Sequence, residues 1–265
     1  MTQQMTLREA IAVLREAGVP SADHDARVLE QFASQSKGDF DALVRRRADR
    51  VPLQHLVGSA GFRYLDLQVG PGVFVPRPET EVVVDAVLAE IRDGDGAVVV
   101  DLCAGAGTIG FSVAHERPAA VVHLVERDPA AFEWLRRNRP EGRPDVHLHL
   151  GDAAEALREL DGTVDVVVSN PPYVAEDERE LMDPEVRDHD PEPALFAGDD
   201  GLDVIRVVER RARELLKPGG LVVIEHSDRQ GERVPVLLRD SGWTDVADHR
   251  DLTGRDRFAT ARCPC

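Results

Sequence analysis

The first fifty residues carry apolar positions at helical spacing. Two short apolar stripes recur every three to four residues between positions 5 and 50, and Ser21 stands where the second helix would begin. The stripes consist of Leu7, Ile11 and Leu14, and of Val28, Leu29 and Phe32. Because these stripes are short, we expect the helical region to pack against something larger.

Residues 51–80 change character. Glycine and proline become frequent, and positions 64–69 alternate between apolar and polar residues as a half-buried strand does. We interpret this segment as a hairpin-like linker that ends in Val73-Phe74-Val75-Pro76-Arg77-Pro78. The pattern therefore predicts three parts, which are a small helical domain (1–50), the linker (51–80) and a large domain (81–265).

Strand-like and helix-like segments alternate from residue 80 onwards. Several of the strands are continuous apolar runs, which are typical of strands buried on both faces of a parallel sheet. The predicted strands are 97–100, 121–125, 146–150, 164–169, 221–225, 244–249 and 258–262, and the helices are 82–91, 128–138, 153–160 and 202–216. This alternation predicts a doubly wound α/β sheet, in which ligands bind beyond the carboxyl ends of the strands.

Composition narrows the function classes. The 265 residues are 42% hydrophobic and 31% charged, with a net charge of −17. That charge argues against a protein whose main task is to grip duplex nucleic acid, since such binding needs a positive surface. Arg45-Arg46-Arg47 with Arg50 is the dense basic candidate, and it fits a solvated helix end equally well. The acidic stretch 176–190 is most simply a solvated loop, and its position beside residues 170–173 also makes it a candidate lid or substrate wall. No apolar run approaches the roughly 20 residues of a membrane span.

The cysteines form an odd, sparse set, namely Cys103, Cys263 and Cys265. This set argues against a disulfide framework and predicts a cytoplasmic location, as does the lack of a basic-then-apolar pattern near the N-terminus. No group of cysteine and histidine residues has zinc-site spacing, so we expect no metal.

A glycine-rich segment follows the first strand of the large domain and opens a helix. It reads Asp101-Leu102-Cys103-Ala104-Gly105-Ala106-Gly107, and such glycines let the backbone approach a ligand and expose amides at a helix N-terminus. The run 105–110 also satisfies the G-x-G-x-x-G dinucleotide fingerprint. Four residues separate the strand from the first glycine, and this spacing favours S-adenosylmethionine over a dinucleotide.

Two acidic residues extend this candidate cofactor site. Glu126 ends the second strand, where a carboxylate can accept hydrogen bonds from both ribose hydroxyls of either cofactor. Asp152 follows the third strand and is placed to meet the adenine amino group. Asp152 is equally suited to cap the predicted helix 153–160, and the two roles are compatible.

The fourth strand runs into Asn170-Pro171-Pro172-Tyr173. Two prolines end the strand because they lack the amide donor, and they direct the carbonyl oxygens outward. The Asn170 side-chain oxygen and the Pro171 carbonyl can then accept both hydrogens of an –NH₂ group, while Tyr173 packs on its planar face. Such hydrogen bonds orient a nitrogen whose lone pair is delocalised, so the motif predicts N-methylation.

These motifs, in this order, resemble the HemK-like protein-(glutamine-N5) methyltransferases. The likeness covers nearly the whole chain, and the block Pro76-Arg77-Pro78-Glu79-Thr80-Glu81 is far more specific to that family than Asn-Pro-Pro-Tyr, which some nucleic-acid methyltransferases share. The matching segments are 52–58, 72–81, 184–187, 194–196, 200–202, 250–252 and 257–258.

The resemblance implies that the substrate is the glutamine of the Gly-Gly-Gln loop in class I peptide chain release factors. It implies a class I S-adenosylmethionine methyltransferase fold, with the helical domain gripping the release factor. The implied cofactor contacts are Cys103, Ala104, Gly105, Ala106, Gly107, Glu126, Ala153 and Asn170, and the glutamine would be held by Asn170, Pro171, Pro172 and Tyr173.

Two departures from the family pattern bear on these expectations. Cys103 and Ala104 stand where the family often has glycine and threonine, while Gly105 and Gly107 are retained. The region before Val51 is shorter than the family's usual helical domain, as if one or two helices were missing. This second departure concerns the docking of the partner more than the chemistry, and it keeps open a substrate such as a ribosomal protein.

Other functions remain as alternatives. An amino-group methyltransferase acting on nucleic acid would use the same Asn-Pro-Pro-Tyr turn but would need a basic groove or a target-recognition domain. A NAD-dependent oxidoreductase would explain the literal dinucleotide fingerprint and leave that turn unexplained. A non-catalytic adaptor that keeps the fold would not need the intact Asn170 and glycine-rich turn.

Overall fold

The computed structural model describes residues 5–264, so Cys265 lies outside the described residues. The N-terminal helices are α1 (Leu7–Glu16), α2 (Ala22–Ser36), α3 (Phe40–Ala48) and α4 (Leu53–Val57). A capping box begins α1, because the Thr6 hydroxyl accepts from the Glu9 amide while the Glu9 carboxylate accepts from the Thr6 amide. The apolar faces of the four helices form a core of their own, which includes Leu14, Leu29, Phe40, Val44 and Leu56.

The segment 51–80 contains both a helix and a hairpin. The hairpin is confirmed, with β1 (Ser59–Phe62) paired antiparallel to β2 (Leu65–Gln68). Sequence reasoning missed α4, whose Leu56 packs into the helical core. Pro52 and Gly58 look like loop residues, but Pro52 stands at the N-cap of α4 and Gly58 ends it in the left-handed conformation at φ +80°.

A seven-stranded sheet forms the large domain, in the order β5-β4-β3-β6-β7-β9-β8. The strands are β3 (Val98–Leu102), β4 (Val121–Glu126), β5 (Val146–Leu150), β6 (Val164–Ser169), β7 (Leu216–Glu225), β8 (Thr244–Arg250) and β9 (Asp256–Arg262). Strands β3 to β7 are parallel, and β9 runs antiparallel to both β7 and β8. The predicted doubly wound α/β sheet is confirmed.

Helices cover both faces of this sheet. One face packs against α5 (Glu81–Glu90), α6 (Thr108–Glu116) and α7 (Pro129–Asn138), and the other against α9 (Asp203–Leu215) and α10 (Arg233–Asp240). Alternate strand residues serve the two cores, since Val99 lies in the first and Val100 in the second. Among residues 5–264, no helix has both the length and the apolar character needed to cross a membrane.

The predicted helix 153–160 is wrong, and α10 was not predicted. Leu157 adopts a left-handed backbone at φ +61°, which interrupts helical hydrogen bonding and leaves only a short 3-10 helix, Arg158–Leu160. Tertiary contacts stabilise this turn, because Arg211 on α9 donates to the Ala156 carbonyl at 2.8 Å. The local sequence carries no sign of that distant arginine.

The acidic stretch after β6 is structured, so the expectation of a solvated loop is wrong. It holds a 3-10 helix, Glu176–Leu181, and α8 (Pro184–His189). Its last residue, Asp190, has a fully buried side chain that pairs with Arg77 at 2.6 Å. This pair fixes the end of the stretch against the segment that precedes α5.

Two of the four arginines at the end of α3 are taken up by acidic partners. The Arg47 side chain is 3% exposed and pairs with Asp25 at 2.7 Å and with Glu185 on α8 at 2.8 Å. Arg50 pairs with Asp183 at 2.9 Å and also with Glu185. These side chains tie the helical layer to the segment around α8 in place of facing a nucleic acid.

Candidate active site

A cavity of about 400 Å³ opens at the carboxyl ends of β3 to β6. The chain runs from β3 to β4 and β5 on one side and continues with β6 on the other, so the strand order reverses at this crevice. Apart from Gly107, all the predicted site residues line the cavity, namely Cys103, Ala104, Gly105, Ala106, Glu126, Asp152, Ala153, Asn170, Pro171, Pro172 and Tyr173. The fold therefore brings together residues that lie up to seventy positions apart in the sequence.

The turn between β3 and α6 presents bare backbone to this cavity. Cys103 and Gly105 both adopt left-handed conformations, at φ +63° and +55°. The Ala104 amide donates to the Val125 carbonyl at 2.9 Å, which holds the turn against β4. A side chain at Gly105 would meet open space, so a ligand can approach the backbone there.

Gly107 does not line the cavity, and packing explains why glycine stands there. Its backbone is left-handed at φ +89°, and a Cβ atom would lie 2.2 Å from the Phe111 ring and 2.9 Å from Leu135. The residue lets α6 begin close to α7. It shapes the turn without facing a ligand.

The Glu126 carboxylate is held in place by two backbone amides. Oε2 accepts from Gly105 at 2.9 Å and Oε1 accepts from Asp128 at 2.8 Å. A carboxylate oxygen can accept a second hydrogen bond, so both oxygens retain capacity toward the cavity. Two vicinal hydroxyls, as on a ribose, fit this arrangement.

Asp152 lies exposed at the rim where β5 ends. Its Oδ1 accepts from the Ala154 amide at 2.8 Å, so it caps a turn and not the helix that the sequence suggested. Ala153 beside it is buried in the cavity wall. This pair offers a carboxylate and a small apolar surface at the side of the cavity away from Asn170.

The Asn170–Tyr173 turn stands at the opposite side, directly after β6. Ser169 anchors the end of the strand, because its hydroxyl donates to the Leu102 carbonyl at 2.6 Å. Asn170 Nδ2 donates to Thr80 Oγ1 at 3.4 Å, which leaves the side-chain oxygen to accept from a ligand. Among the described residues no peptide bond is cis, so the bonds that precede both prolines of the turn are trans.

Burial governs the electrostatics of the cavity. It raises the pKa of the Asp101 carboxyl to about 7 and that of the Cys103 thiol to about 12. Burial also raises the pKa of the Tyr173 hydroxyl and raises that of the Glu225 carboxyl to about 7. Near neutral pH, therefore, the cysteine is a thiol and the tyrosine a phenol, and the two carboxyls hold their protons more strongly than exposed carboxyls do.

Comparison with known proteins identifies the family to which the chain is similar. A family model described as the methyltransferase small domain matches residues 63–183. The release factor glutamine methyltransferase of Streptomyces coelicolor is 51% identical, over 96% of this chain and 95% of that protein. The protein of the same name from Mycolicibacterium smegmatis is 44% identical, over 98% of each chain.

The chain belongs to the release factor glutamine methyltransferase family. The alignments span nearly all of these relatives. A further relative, at 42% identity over 92% of this chain and 89% of its own, is the 4-amino-L-phenylalanine/4-methylamino-L-phenylalanine methyltransferase of Streptomyces pristinaespiralis. Identity at this level therefore extends to a protein named for an aromatic amine.

Solved structures agree on the fold of the family. A methyltransferase from Pyrococcus furiosus superposes with a TM-score of 0.53 at 19% identity, covering 76% of this chain and 90% of its own. The 16S rRNA N2 G1207 methyltransferase of T. thermophilus, solved with AdoMet and guanosine, gives 0.52 at 18% identity, covering 78% and 44%. Membership of the glutamine methyltransferase family, shown by the sequence relatives, sets aside the NAD-dependent oxidoreductase.

Sequence reasoning missed some of the residues that line the cavity. They are Phe74, Arg77, Thr80, Glu225 and Arg257. Four of them lie in segments that carry the family resemblance, so those segments held a usable signal. The sequence signal for Glu225 is limited to its position as an acidic residue that ends a buried apolar strand. The order of strands in the sheet decides that it lies beside Tyr173.

The residues present fit S-adenosylmethionine. The open backbone at Gly105 suits close approach by the methionine part, and Glu126 presents two oriented oxygens for the ribose. Asp152 and Ala153 offer an acceptor and an apolar contact for the adenine at the end of β5. When bound, this cofactor supplies a methyl sulfonium as the donor.

Proposed function

We propose that this chain methylates the side-chain amide nitrogen of the glutamine in the Gly-Gly-Gln loop of class I peptide chain release factors, with S-adenosylmethionine as methyl donor. The observation that carries the proposal is the near full-length likeness to release factor glutamine methyltransferases, at 51% identity. The site supports it, because the glycine-rich turn, Glu126 and the Asn170–Tyr173 turn line one cavity. Glu126 is the ribose ligand in this proposal, and Asp152 meets the adenine amino group.

The catalytic turn would act by positioning. Asn170 Oδ1 and the Pro171 carbonyl accept the two hydrogens of the glutamine –NH₂ group, and Pro172 and Tyr173 bound its planar face. An amide nitrogen is a poor nucleophile, since its lone pair is delocalised into the carbonyl. Two acceptors of fixed direction orient the nitrogen toward the methyl group and favour its rehybridisation, which lowers the barrier. The new N–C bond would form as the methyl–sulfur bond breaks, and the nitrogen would then release one proton to water, so no strong base is required.

The helical layer is the proposed docking element. We propose residues 1–50 as the part that grips the release factor, 51–80 as the linker and 81–265 as the catalytic domain. Arg47 and Arg50 are occupied by acidic partners, so the helical layer offers no free arginine cluster there for direct nucleic-acid binding. The sparse cysteines support a cytoplasmic location.

The test is methyl incorporation from labelled S-adenosylmethionine into a purified class I release factor. The matched control is the same factor with its Gly-Gly-Gln glutamine replaced by alanine. We expect label in the first and none in the second, and mass spectrometry should place a single methyl group on the glutamine.

Free 4-amino-L-phenylalanine and a ribosomal protein fraction serve as competing substrates in the same assay. Label in either, with none in the release factor, would contradict the proposal and point to the aromatic amine or to another protein. Label in RNA alone would favour a nucleic-acid methyltransferase. Unlabelled products throughout, with cofactor binding confirmed, would also reject the release factor as substrate.

A further inference from the structure

Glu225 is a buried carboxyl group in the cavity wall that the proposed reaction does not yet use. It is the last residue of β7, pairs in register with Phe258 of β9, and is 2% exposed. Among the described residues its Oε2 is buried without a hydrogen-bond partner. Burying an ionisable group costs free energy, and buried groups of this kind are concentrated at functional sites.

The contacts of Glu225 lead to both ends of the catalytic turn. At one end, the Tyr173 hydroxyl donates to Glu225 Oε1 at 3.5 Å. At the other end, Asn170 Nδ2 donates to Thr80 Oγ1 at 3.4 Å. Thr80 also lies near enough to Glu225 for its side chain to lower the pKa of that carboxyl.

Thr80 is well placed for this bridging role. It is 2% exposed and ends the 3-10 helix Pro78–Thr80, directly before α5. Its hydroxyl accepts from Asn170 and has one proton left to donate, which suits a carboxylate. A neighbouring apolar side chain could not make this link.

The orientation of the Asn170 amide depends on that link. With Nδ2 directed at Thr80, the side-chain oxygen is the atom left for the substrate. A rotation by 180° would present an –NH₂ group to the –NH₂ of the substrate, and two donors cannot hydrogen-bond to each other. Correct orientation is therefore a condition for the reaction and not a detail of packing.

We propose that Thr80 and Glu225 are positioning residues that hold the Asn170–Tyr173 turn from both ends, so that the Asn170 oxygen faces the amino group of the substrate. This inference rests on the proposed function. It adds two residues from distant segments to the site, and it assigns them to orientation and not to cofactor binding.

The charge state of Glu225 affects how firmly the Asn170–Tyr173 turn is held in place. Burial raises its pKa to about 7, and the groups that face it are Glu79 and Thr80 before α5, Tyr173 on the catalytic turn, and Arg257 on β9. Ionised acceptors bind hydroxyl hydrogens more strongly than neutral ones. The turn is thus held best above the pKa of Glu225, and kcat should rise as the pH rises through about 7.

The first experiment compares Thr80→Val with Thr80→Ser in the full-length enzyme. Valine removes the hydroxyl and keeps the branched shape, whereas serine keeps the hydroxyl. We expect kcat to fall roughly 10-fold or more in Thr80→Val and to stay within about 3-fold of normal in Thr80→Ser, because misplacement of a reacting group is costly. Affinity for S-adenosylmethionine, measured by calorimetry, should stay within about 2-fold in both.

The second experiment uses Glu225→Gln and Glu225→Ala. Alanine should lower kcat about as far as Thr80→Val, because it removes the support at the Tyr173 end of the turn. Glutamine accepts a hydrogen bond but does not titrate, so it should give a lower kcat without the rise near pH 7. Asp101, whose pKa burial also raises to about 7, is unchanged in every variant, so a lost rise reports Glu225.

Several outcomes would overturn the inference. Normal kcat in folded Thr80→Val and Glu225→Ala would do so, as would a loss of cofactor affinity in place of kcat, or an unchanged pH profile in Glu225→Gln. If Glu225→Ala does not fold, the Thr80 pair decides alone. A wild-type enzyme that labels no release factor is a failure of the proposed function, whereas normal wild-type labelling with unaffected variants is a failure of this inference alone.

Discussion

Asn170 shows how much of the proposed chemistry depends on the placing of single atoms. Its side chain is half-buried, and its one hydrogen bond to Thr80 separates the donor end of the amide from the acceptor end. The acceptor is the part that a substrate amino group needs. At this scale the site acts through direction and distance, since its acidic groups are tied to backbone amides or to neighbouring hydroxyls.

Asn170→Ala is expected to reduce kcat for release factor methylation by about 100-fold or more, because it removes one oriented acceptor at the reacting nitrogen. Cofactor affinity should change by less than roughly 3-fold, since the change acts on positioning. Steady-state kinetics and calorimetry provide the two numbers. Near-normal turnover in Asn170→Ala would reject the role of the turn.

Asp101→Asn is expected to change how stability depends on pH. Burial raises the Asp101 pKa to about 7, so the folded state keeps its proton over a pH range in which the unfolded chain has lost it. Stability should therefore fall as pH rises from about 4 to 7, by up to about 4 kcal/mol. Denaturant unfolding at pH 5 and 8 measures the fall, and the asparagine variant should lose the share that Asp101 contributes while keeping that of Glu225, whose pKa burial also raises to about 7. An equal fall in both proteins would exclude Asp101 as its source.

The turn that joins β3 to α6 is the element on which the cofactor half of the cavity depends. Three of its residues are left-handed, and the Asp101 carboxylate accepts from the Gly110 amide at 2.8 Å to fix α6 against the strand. Backbone amides thus reach the cavity only because the turn is tight. At Gly107 the turn is closely packed against Phe111 and Leu135, whereas at Gly105 it borders open space in the cavity.

Gly107→Ala is expected to destabilise the protein by roughly 3 kcal/mol or more, because a Cβ atom would combine left-handed strain with a contact of 2.2 Å to Phe111. Gly162→Ala is the matched control. Its φ of +71° is similar, but a Cβ there meets open space, so only about 1–2 kcal/mol is expected. Urea unfolding of both variants makes the comparison, and equal losses would show that packing at Gly107 is unimportant.

In the molecule as a whole, charged side chains connect the helical core to the part of the chain that holds the two sheet cores. The helical core and the sheet cores share few apolar residues, and the buried Arg47 lies between Asp25 of the helical layer and Glu185 of α8. Met182 and Val186, next to these pairs, belong to the cavity wall. These ion pairs therefore connect the helical layer to a segment that lines the cavity.

Arg47→Met is expected to lower the free energy of unfolding by about 3–5 kcal/mol, since it leaves the Asp25 carboxylate buried without its partner. Arg45→Met on the same helix is the control, because that side chain is 68% exposed and its pair with Asp41 spans 3.9 Å. It should cost less than about 1 kcal/mol. Thermal or urea unfolding decides, and similar losses in the two variants would disprove a structural role for the buried pair.

Patterns of short range in the sequence were enough for much of this protein. Apolar periodicity predicted the strands β5 and β6 at their observed bounds, and the doubly wound sheet followed from the alternation of elements. The prolines and glycines predicted the two turns at the cavity, because those residues restrict the backbone wherever they stand. These properties are local, so they are visible before folding.

Tertiary structure alone decided the rest. The 153–160 turn depends on Arg211 from α9, α4 depends on the helical core, and Arg47 is buried by α8. Glu225 reaches the Asn170–Tyr173 turn because β7 lies beside β6 in the sheet. Thr80 reaches it because the residue directly before α5 contacts Asn170. Such contacts join residues tens of positions apart, and their free energy exists only once the sheet has assembled. The sequence by itself determined which chemistry was available, and the tertiary structure decided which groups share the cavity.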